Sequence, residues 1–337
     1  MKLVTYLNQD FQSRLGMLID NQIIDIQNET KKLGFELPSN MLLLLNDWDR
    51  NFELVKNAYE KLKSSGDFSI VNPIKLLSPI PNPPSCRDGY AFRQHVEAAR
   101  RNRGLDMIPE FDQYPIFYFT NHNAIFGEGE IEVEIDHLDK LDFELEWAAI
   151  IGKRGKNINS NEADNYIAGF TIMNDFSART LQMEEMKLNL GPAKGKDFAT
   201  TLGPWLVTTD ELESKVIKTQ FGNKYKLEMK ARHNGIEVSY GNTSDMNWTF
   251  AEIIERASYG VELFPGDVIG SGTVGTGCYL ELNGTRARLA KDRGEDYQPI
   301  WLQDGDIIEL EIENLGILKN KIKWNGSNHS ILKKKKI

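Results

Sequence analysis

The sequence predicts a mainly β protein with a few helices, an α+β fold, preceded by a small β/α module. Three features point there: a strand-rich opening followed by helical spacing, a proline-rich break, and a long remainder of short alternating apolar segments. Alternation of that kind between turn residues marks strands rather than helices.

The chain opens with a short strand, a turn around Gln9 to Ser13, and two further strands in LGMLID and IIDIQ. From about Asn40 to Lys63 the residues Leu43, Leu44, Leu45, Trp48, Phe52, Leu54, Val55, Ala58, Tyr59 and Leu62 recur at helical spacing, and Gly66 follows as a stop. That pattern predicts one or two amphipathic helices. LLSPIPNPPSC then holds Pro79, Pro81, Pro83 and Pro84, which excludes a central strand or helix. A boundary is therefore placed between a small N-terminal domain, 1–78, and a catalytic domain, 79–337.

Beyond the boundary, IEVEI, FELEWAAIIG, YIAGFTIM, PWLVTT, KLEMKARH and IIELEIE read as strands, and Asn234-Gly235 between two such runs signals a hairpin. Helices are expected near 91–101, near 177–187 and at TFAEIIERASYG. No internal repeat is present.

Composition narrows the function classes. A formal net charge of -9 opposes binding to a phosphate backbone, so nucleic acid is not an expected partner. The basic run Lys333 to Lys336 reads as a solvated tail or as a membrane-surface anchor. Only Cys86 and Cys278 are present, too few for a disulfide framework and without zinc spacing, which fits a reducing cytoplasm. No signal-like leader and no run of membrane-spanning length is seen, so no membrane association is expected.

The chemistry-bearing residues are acidic. LDFELEWAAIIGK sets Glu144 and Glu146 two apart in an apolar strand, so both face one way while Phe143, Leu145 and Trp147 face the other. They form either a solvated strand face or two ligands of one site. Asp175 ends the apolar run YIAGFTIMN just before a helix carrying Arg179 and Gln182 on one face, and it reads as a helix cap or as a third ligand. Asp88 precedes His95 in RDGYAFRQH. With a helix starting near Tyr90, His95 lies about one and a half turns in, either structural or beside a metal.

RDGYAFRQH, LDFELEWAAIIGK, AGFTIMNDFSARTLQ, GKDFATTLGPWLV and PGDVIGSGTVGTGCYLE, in that order, resemble the fumarylacetoacetate hydrolase family over about residues 75 to 320. The resemblance implies a mixed β-sandwich roll behind a small N-terminal domain, and a homodimer. It implies metal ligands at Asp88, Glu144, Glu146 and Asp175, a catalytic His95 paired with Glu281, and oxyanion stabilisation by Arg179, Gln182 and Lys196. Implied substrate contacts are Tyr90, Tyr118, Arg179, Gln182, Lys196, Thr200 and Thr273. The loop MEEMKLNLGPAKG departs from the family pattern and carries one extra residue, so recognition of the distal part of the substrate is expected to differ.

An oxygen-only ligand set selects one hard divalent cation, Mg2+ foremost, with Mn2+ or Ca2+ as substitutes. The resemblance implies hydrolysis of a carbon–carbon bond in a small dioxo acid, such as fumarylacetoacetate or an acylpyruvate, in aromatic catabolism. His95, oriented by Glu281, would take a proton from water. Three alternatives stay open: an isomerase or decarboxylase of a related keto acid of the hydroxymuconate or oxaloacetate type, a sugar-acid dehydratase, or a non-catalytic metal-stabilised binding protein.

Overall fold

The computed structural model describes residues 1–333, so all but the first residue of the basic run Lys333 to Lys336 lies outside the described residues. The chain begins with β1 (Lys2–Leu7), β2 (Ser13–Ile19) and β3 (Gln22–Asp25), the expected meander. A helix that the periodicity did not reveal follows, α1 (Ile26–Lys32), capped by the Asp25 carboxylate on Asn28 N. The predicted helical stretch forms α2 (Met41–Leu45) and α3 (Trp48–Ser65), and Gly66, left-handed at φ 67°, ends α3 by donating its N–H to Leu62.

After the proline segment come β4 (Cys86–Gly89), α4 (Arg93–Arg101), β5 (Phe117–Thr120), β6 (Gly129–Val133), β7 (Leu145–Ile151) and β8 (Ile167–Asp175). Next are α5 (Arg179–Met186), β9 (Thr200–Thr208), the hairpin β10 (Glu228–His233) and β11 (Ile236–Asn242), and α6 (Phe250–Ser258). The last elements are β12 (Val268–Gly270), α7 (Tyr279–Asp292), β13 (Ile307–Ile312) and β14 (Gly316–Trp324). The hairpin turns on Asn234 and Gly235, both at positive φ, as that dipeptide requires.

One large sheet runs in the order β3-β2-β1-β9-β8-β7-β12-β4-β5, and a second runs β11-β10-β13-β14-β6. Pairing is antiparallel throughout the first path except between β12 and β4. Strand β1 pairs directly with β9, so residues before the proline segment extend the same sheet that carries the later strands.

The register of β7 explains the layering. Trp147, Ala149 and Ile151 pack into a core shared with the second sheet and α6, whereas Ala148 and Ile150 pack beneath the N-terminal strands and α3. Trp147 sits among Phe170, Phe250 and Tyr225 with ring centroids 4.7, 4.8 and 5.7 Å away. Burying a ring of that size contributes roughly 3–5 kcal/mol. A strand buried on both faces is ordinarily apolar throughout, so a glutamate within β7 marks a site.

Helix α7 is not among the helices expected from the sequence. Gly284 lies inside it because α4 comes close: a Cβ there would fall 2.7 Å from Asn102 Nδ2. Asn102 in turn donates to Glu281 O and Thr285 Oγ1, both at 3.1 Å, which fixes the end of α4 against the start of α7.

Candidate active site

Glu144 and Glu146 lie at the entrance of β7 on one face, as the alternation predicts, and Asp88 reaches them from β4 across the narrow strand β12. The approach depends on Gly270 of β12, where a Cβ would stand 2.4 Å from Asp88 Oδ1. One oxygen from each of Asp88, Glu144 and Glu146 lies within 4.8 Å of the others, and all three side chains are buried. Glu146 Oε1 accepts from Thr273 Oγ1 at 3.2 Å, while its Oε2 is buried with no partner. An orphaned buried carboxylate oxygen is costly unless something positive meets it, so the donor set fits a hard divalent cation.

Asp175, at the end of β8, stands beside this trio with different partners. It accepts from Lys196 Nζ at 2.8 Å, from Thr200 Oγ1 at 3.4 Å and from Tyr118 Oη. Lys196 Nζ also donates to Glu144 Oε2, so one ammonium bridges the two carboxylates. Arg179 has a protein partner on every guanidinium nitrogen: Nε to Asp142 at 2.8 Å, Nη1 to Gln182 Oε1 at 2.9 Å, and Nη2 to Glu144 Oε1 at 2.8 Å. It holds a carboxylate in place, and Gln182 shares its face as the helix spacing predicts.

His95 lies in the first turn of α4, because the helix starts at Arg93 rather than near Tyr90. Its Nδ1 meets Glu281 Oε2 at 2.6 Å, and Glu281 Oε1 accepts from Thr276 N at 2.9 Å. A carboxylate accepts only, so Nδ1 is the donor of this contact, which fixes the tautomer of a neutral ring with its lone pair on Nε2. The Tyr90 ring meets the imidazole edge-on at 6.0 Å.

Asp88, Tyr90, His95, Tyr118, Glu144, Arg179, Gln182, Lys196 and Thr273 line one cavity of about 590 Å³. Glu146, Asp175 and Thr200 are buried and do not line it; Glu146 adjoins it through the carboxylate trio, and Thr200 donates to Asp175 at 3.4 Å. The lining also holds the apolar side chains of Ile116, Phe117, Met183 and Met186.

Two residues that the sequence reading did not single out shape the site. Asp142 is fully buried beside Arg179, and its position two residues before Glu144 already placed it on the carboxylate face. Glu185 accepts from the backbone amides of Ala193, Lys194 and Gly195 at 3.0, 2.7 and 3.2 Å, anchoring the loop just ahead of Lys196. No sequence pattern announces the second, because the contact is set by how the loop closes.

The carboxylates differ in how they hold protons. Burial, then repulsion from Asp175, pushes Asp88 up from 3.8 to about 7. Burial, then Asp88 and Glu144, push Glu146 well above the usual carboxylate range. For Glu144 burial opposes ionisation, but Lys196 and Arg179 prevail and hold it down at about 2. A cation held there would therefore displace protons from the Asp88–Glu146 pair. Mn2+ affinity is expected to rise with pH through about 7, with net proton release on binding. Calorimetry in buffers of different ionisation enthalpy measures that release, and a pH-independent affinity would contradict it.

Sheets, carboxylate trio and imidazole–carboxylate pair together define an α+β protein with three buried carboxylates and a histidine–glutamate pair at one cavity. The chain belongs to the fumarylacetoacetate hydrolase family: residues 85–323 match the family model described as fumarylacetoacetate (FAA) hydrolase C-terminal. It is 31% identical over 329 residues to a fumarylacetoacetate hydrolase domain-containing protein 2 homolog of Dictyostelium discoideum, covering 96% of this chain and 97% of that one. It is 29% identical over 326 residues to the oxaloacetate tautomerase YisK of Bacillus subtilis, covering 91% and 95%. Its fold matches maleylpyruvate hydrolase from Sphingobium sp. SYK-6, solved with manganese(II) and pyruvate, at a TM-score of 0.66 and 22% identity over 96% of this chain and 99% of that one. Among the described residues, no helix is long and apolar enough to cross a membrane.

Proposed function

We propose that this protein catalyses keto–enol tautomerisation of a short 2-oxo dicarboxylic acid of the oxaloacetate type, with one divalent cation held by Asp88, Glu144 and Glu146 and with Asp175 alongside. The observation that carries this reading is the His95–Glu281 pair, 2.6 Å apart, on the same cavity as the carboxylate trio. A cation bound there would polarise the 2-oxo group and favour the enolate charge.

The side chains supply the rest. His95 Nε2 takes a proton from the carbon next to the oxo group and returns it to the enol oxygen, while Glu281 fixes the tautomer and steadies the imidazolium. Burial opposes charge on Lys196, but Asp175 and Glu144 raise its pKa above the ordinary lysine value, so it remains a cation that offsets those two carboxylates. Similarity over nearly full length to a protein named as an oxaloacetate tautomerase supports this reaction over cleavage. In this reading Mg2+ serves, Mn2+ or Ca2+ substitutes for it, and the active form is a homodimer.

The second reading is hydrolysis of a longer dioxo acid, favoured by a cavity of about 590 Å³, partly lined by apolar side chains, that a four-carbon acid leaves partly empty. Incubation of the Mg2+-loaded protein with enol-oxaloacetate and with acylpyruvates, products followed by NMR, separates the two. Rapid enol loss and solvent deuterium at the adjacent carbon, without fragments, is the expected result. Acid fragments from the acylpyruvates with no acceleration of enol loss would establish hydrolysis instead, and CO2 release would establish decarboxylation.

A further inference from the structure

We propose that Asp142 is a positioning residue that couples the two halves of the active site, joining the metal-binding carboxylates to the His95–Glu281 pair. The proposal rests on the assignment of those two halves above and adds a residue that touches neither substrate nor cation.

Asp142 is fully buried, and both of its oxygens are fully engaged. Oδ1 accepts from its neighbour Phe143 N at 2.9 Å and from Tyr279 N at 2.7 Å. Oδ2 accepts from Leu280 N at 2.9 Å and from Arg179 Nε at 2.8 Å. Through Arg179, whose Nη2 donates to Glu144 Oε1 at 2.8 Å, the carboxylate fixes one ligand of the trio. Through Tyr279 N and Leu280 N it fixes the first turn of α7, whose next residue is Glu281, the partner of His95.

The helix supplies no substitute for this contact. Its own N-cap residue, Cys278, makes no side-chain capping hydrogen bond, so the first amides of α7 depend on an acceptor from a distant strand. An asparagine at position 142 cannot reproduce the set. Whichever way its amide turns, an NH2 replaces one oxygen and faces two donors, and the charge opposite Arg179 is lost. Both arms loosen together. A residue that serves only as a helix cap would alter stability without altering either arm.

The test is Asp142→Asn in the full-length protein, with folding checked by near-UV circular dichroism. Mn2+ affinity is read by calorimetry, and the His95 imidazole is read by nitrogen NMR without added metal. The expected result is a folded protein whose Mn2+ affinity falls by roughly tenfold or more, as for other outer-sphere partners of metal ligands, and whose His95 Nδ1–H signal shifts or broadens. A folded variant with wild-type affinity and an unchanged His95 signal overturns the proposal, as does a loss of thermal stability alone. If Asp142→Asn does not fold, Arg179→Lys disturbs Asp142 from the metal side: lower Mn2+ affinity together with a shifted or broadened His95 Nδ1–H signal supports the coupling, and an unchanged His95 signal or an unchanged affinity overturns it. A wild-type protein that binds no Mn2+ would defeat the metal assignment, while the metal-free His95 signal would still test Asp142.

Discussion

Replacing His95 with alanine lowers turnover by roughly two to four orders of magnitude, the range general acid–base catalysis supplies, and leaves Mn2+ affinity unchanged. The separation follows from geometry: His95 lines the cavity and is held by Glu281, whereas the cation cluster consists of Asp88, Glu144 and Glu146. The variant should fold. Glu281 Oε2 loses its partner, but Oε1 keeps Thr276 N at 2.9 Å, so the destabilisation is that of one under-satisfied buried acceptor, about 1–3 kcal/mol. Steady-state rates on the enol substrate, beside calorimetric Mn2+ titration of the same preparation, check both halves. Near-wild-type turnover would remove His95 from the mechanism.

Replacing Glu146 with glutamine has two opposite effects. Metal affinity falls by at least about a hundredfold, since disturbing an outer partner alone commonly costs ten to a hundredfold and here a charged ligand is lost. The metal-free protein behaves differently. Burial, Asp88 and Glu144 hold the Glu146 pKa well above the usual range, so in acid its carboxyl is already protonated and glutamine mimics it. A carboxyl whose folded-state pKa is raised contributes stability that is lost as pH rises through that value. The variant should therefore match wild type in acid and exceed it in base when both are chelated. With Mn2+ at a hundred times the wild-type Kd the order reverses, because wild type gains about 2.7 kcal/mol of binding free energy and the variant less than about 0.5 kcal/mol. Thermal melts across pH, with chelator and with Mn2+, display the crossover. Equal responses of both proteins to Mn2+ would contradict it.

Much of this site was legible in the sequence because its central part is local. Asp142, Glu144 and Glu146 follow one another at strand period in DFELE, so a single rule places all three on one face. The Asn234-Gly235 hairpin, the Gly66 stop and the end of β8 at Asp175 follow from equally short-range chemistry. Helix α7 was not legible, since its first amides are capped from a strand far away in the chain and Gly284 interrupts its pattern. The partners of Asp175 were not legible either. That Lys196 bridges it to Glu144, and that Arg179 spends its guanidinium on Asp142, Gln182 and Glu144, depends on loops whose closure no periodicity encodes.

The central claim is that three carboxylates from two separate strand segments surround one hard cation. Crystals soaked in Mn2+ and measured for anomalous scattering test it directly. The account predicts one peak per chain at about 2.0–2.3 Å from an oxygen of each of Asp88, Glu144 and Glu146, a spacing suited to hard divalent ions bound by oxygen. No peak there, or a peak ligated by other residues, would contradict it.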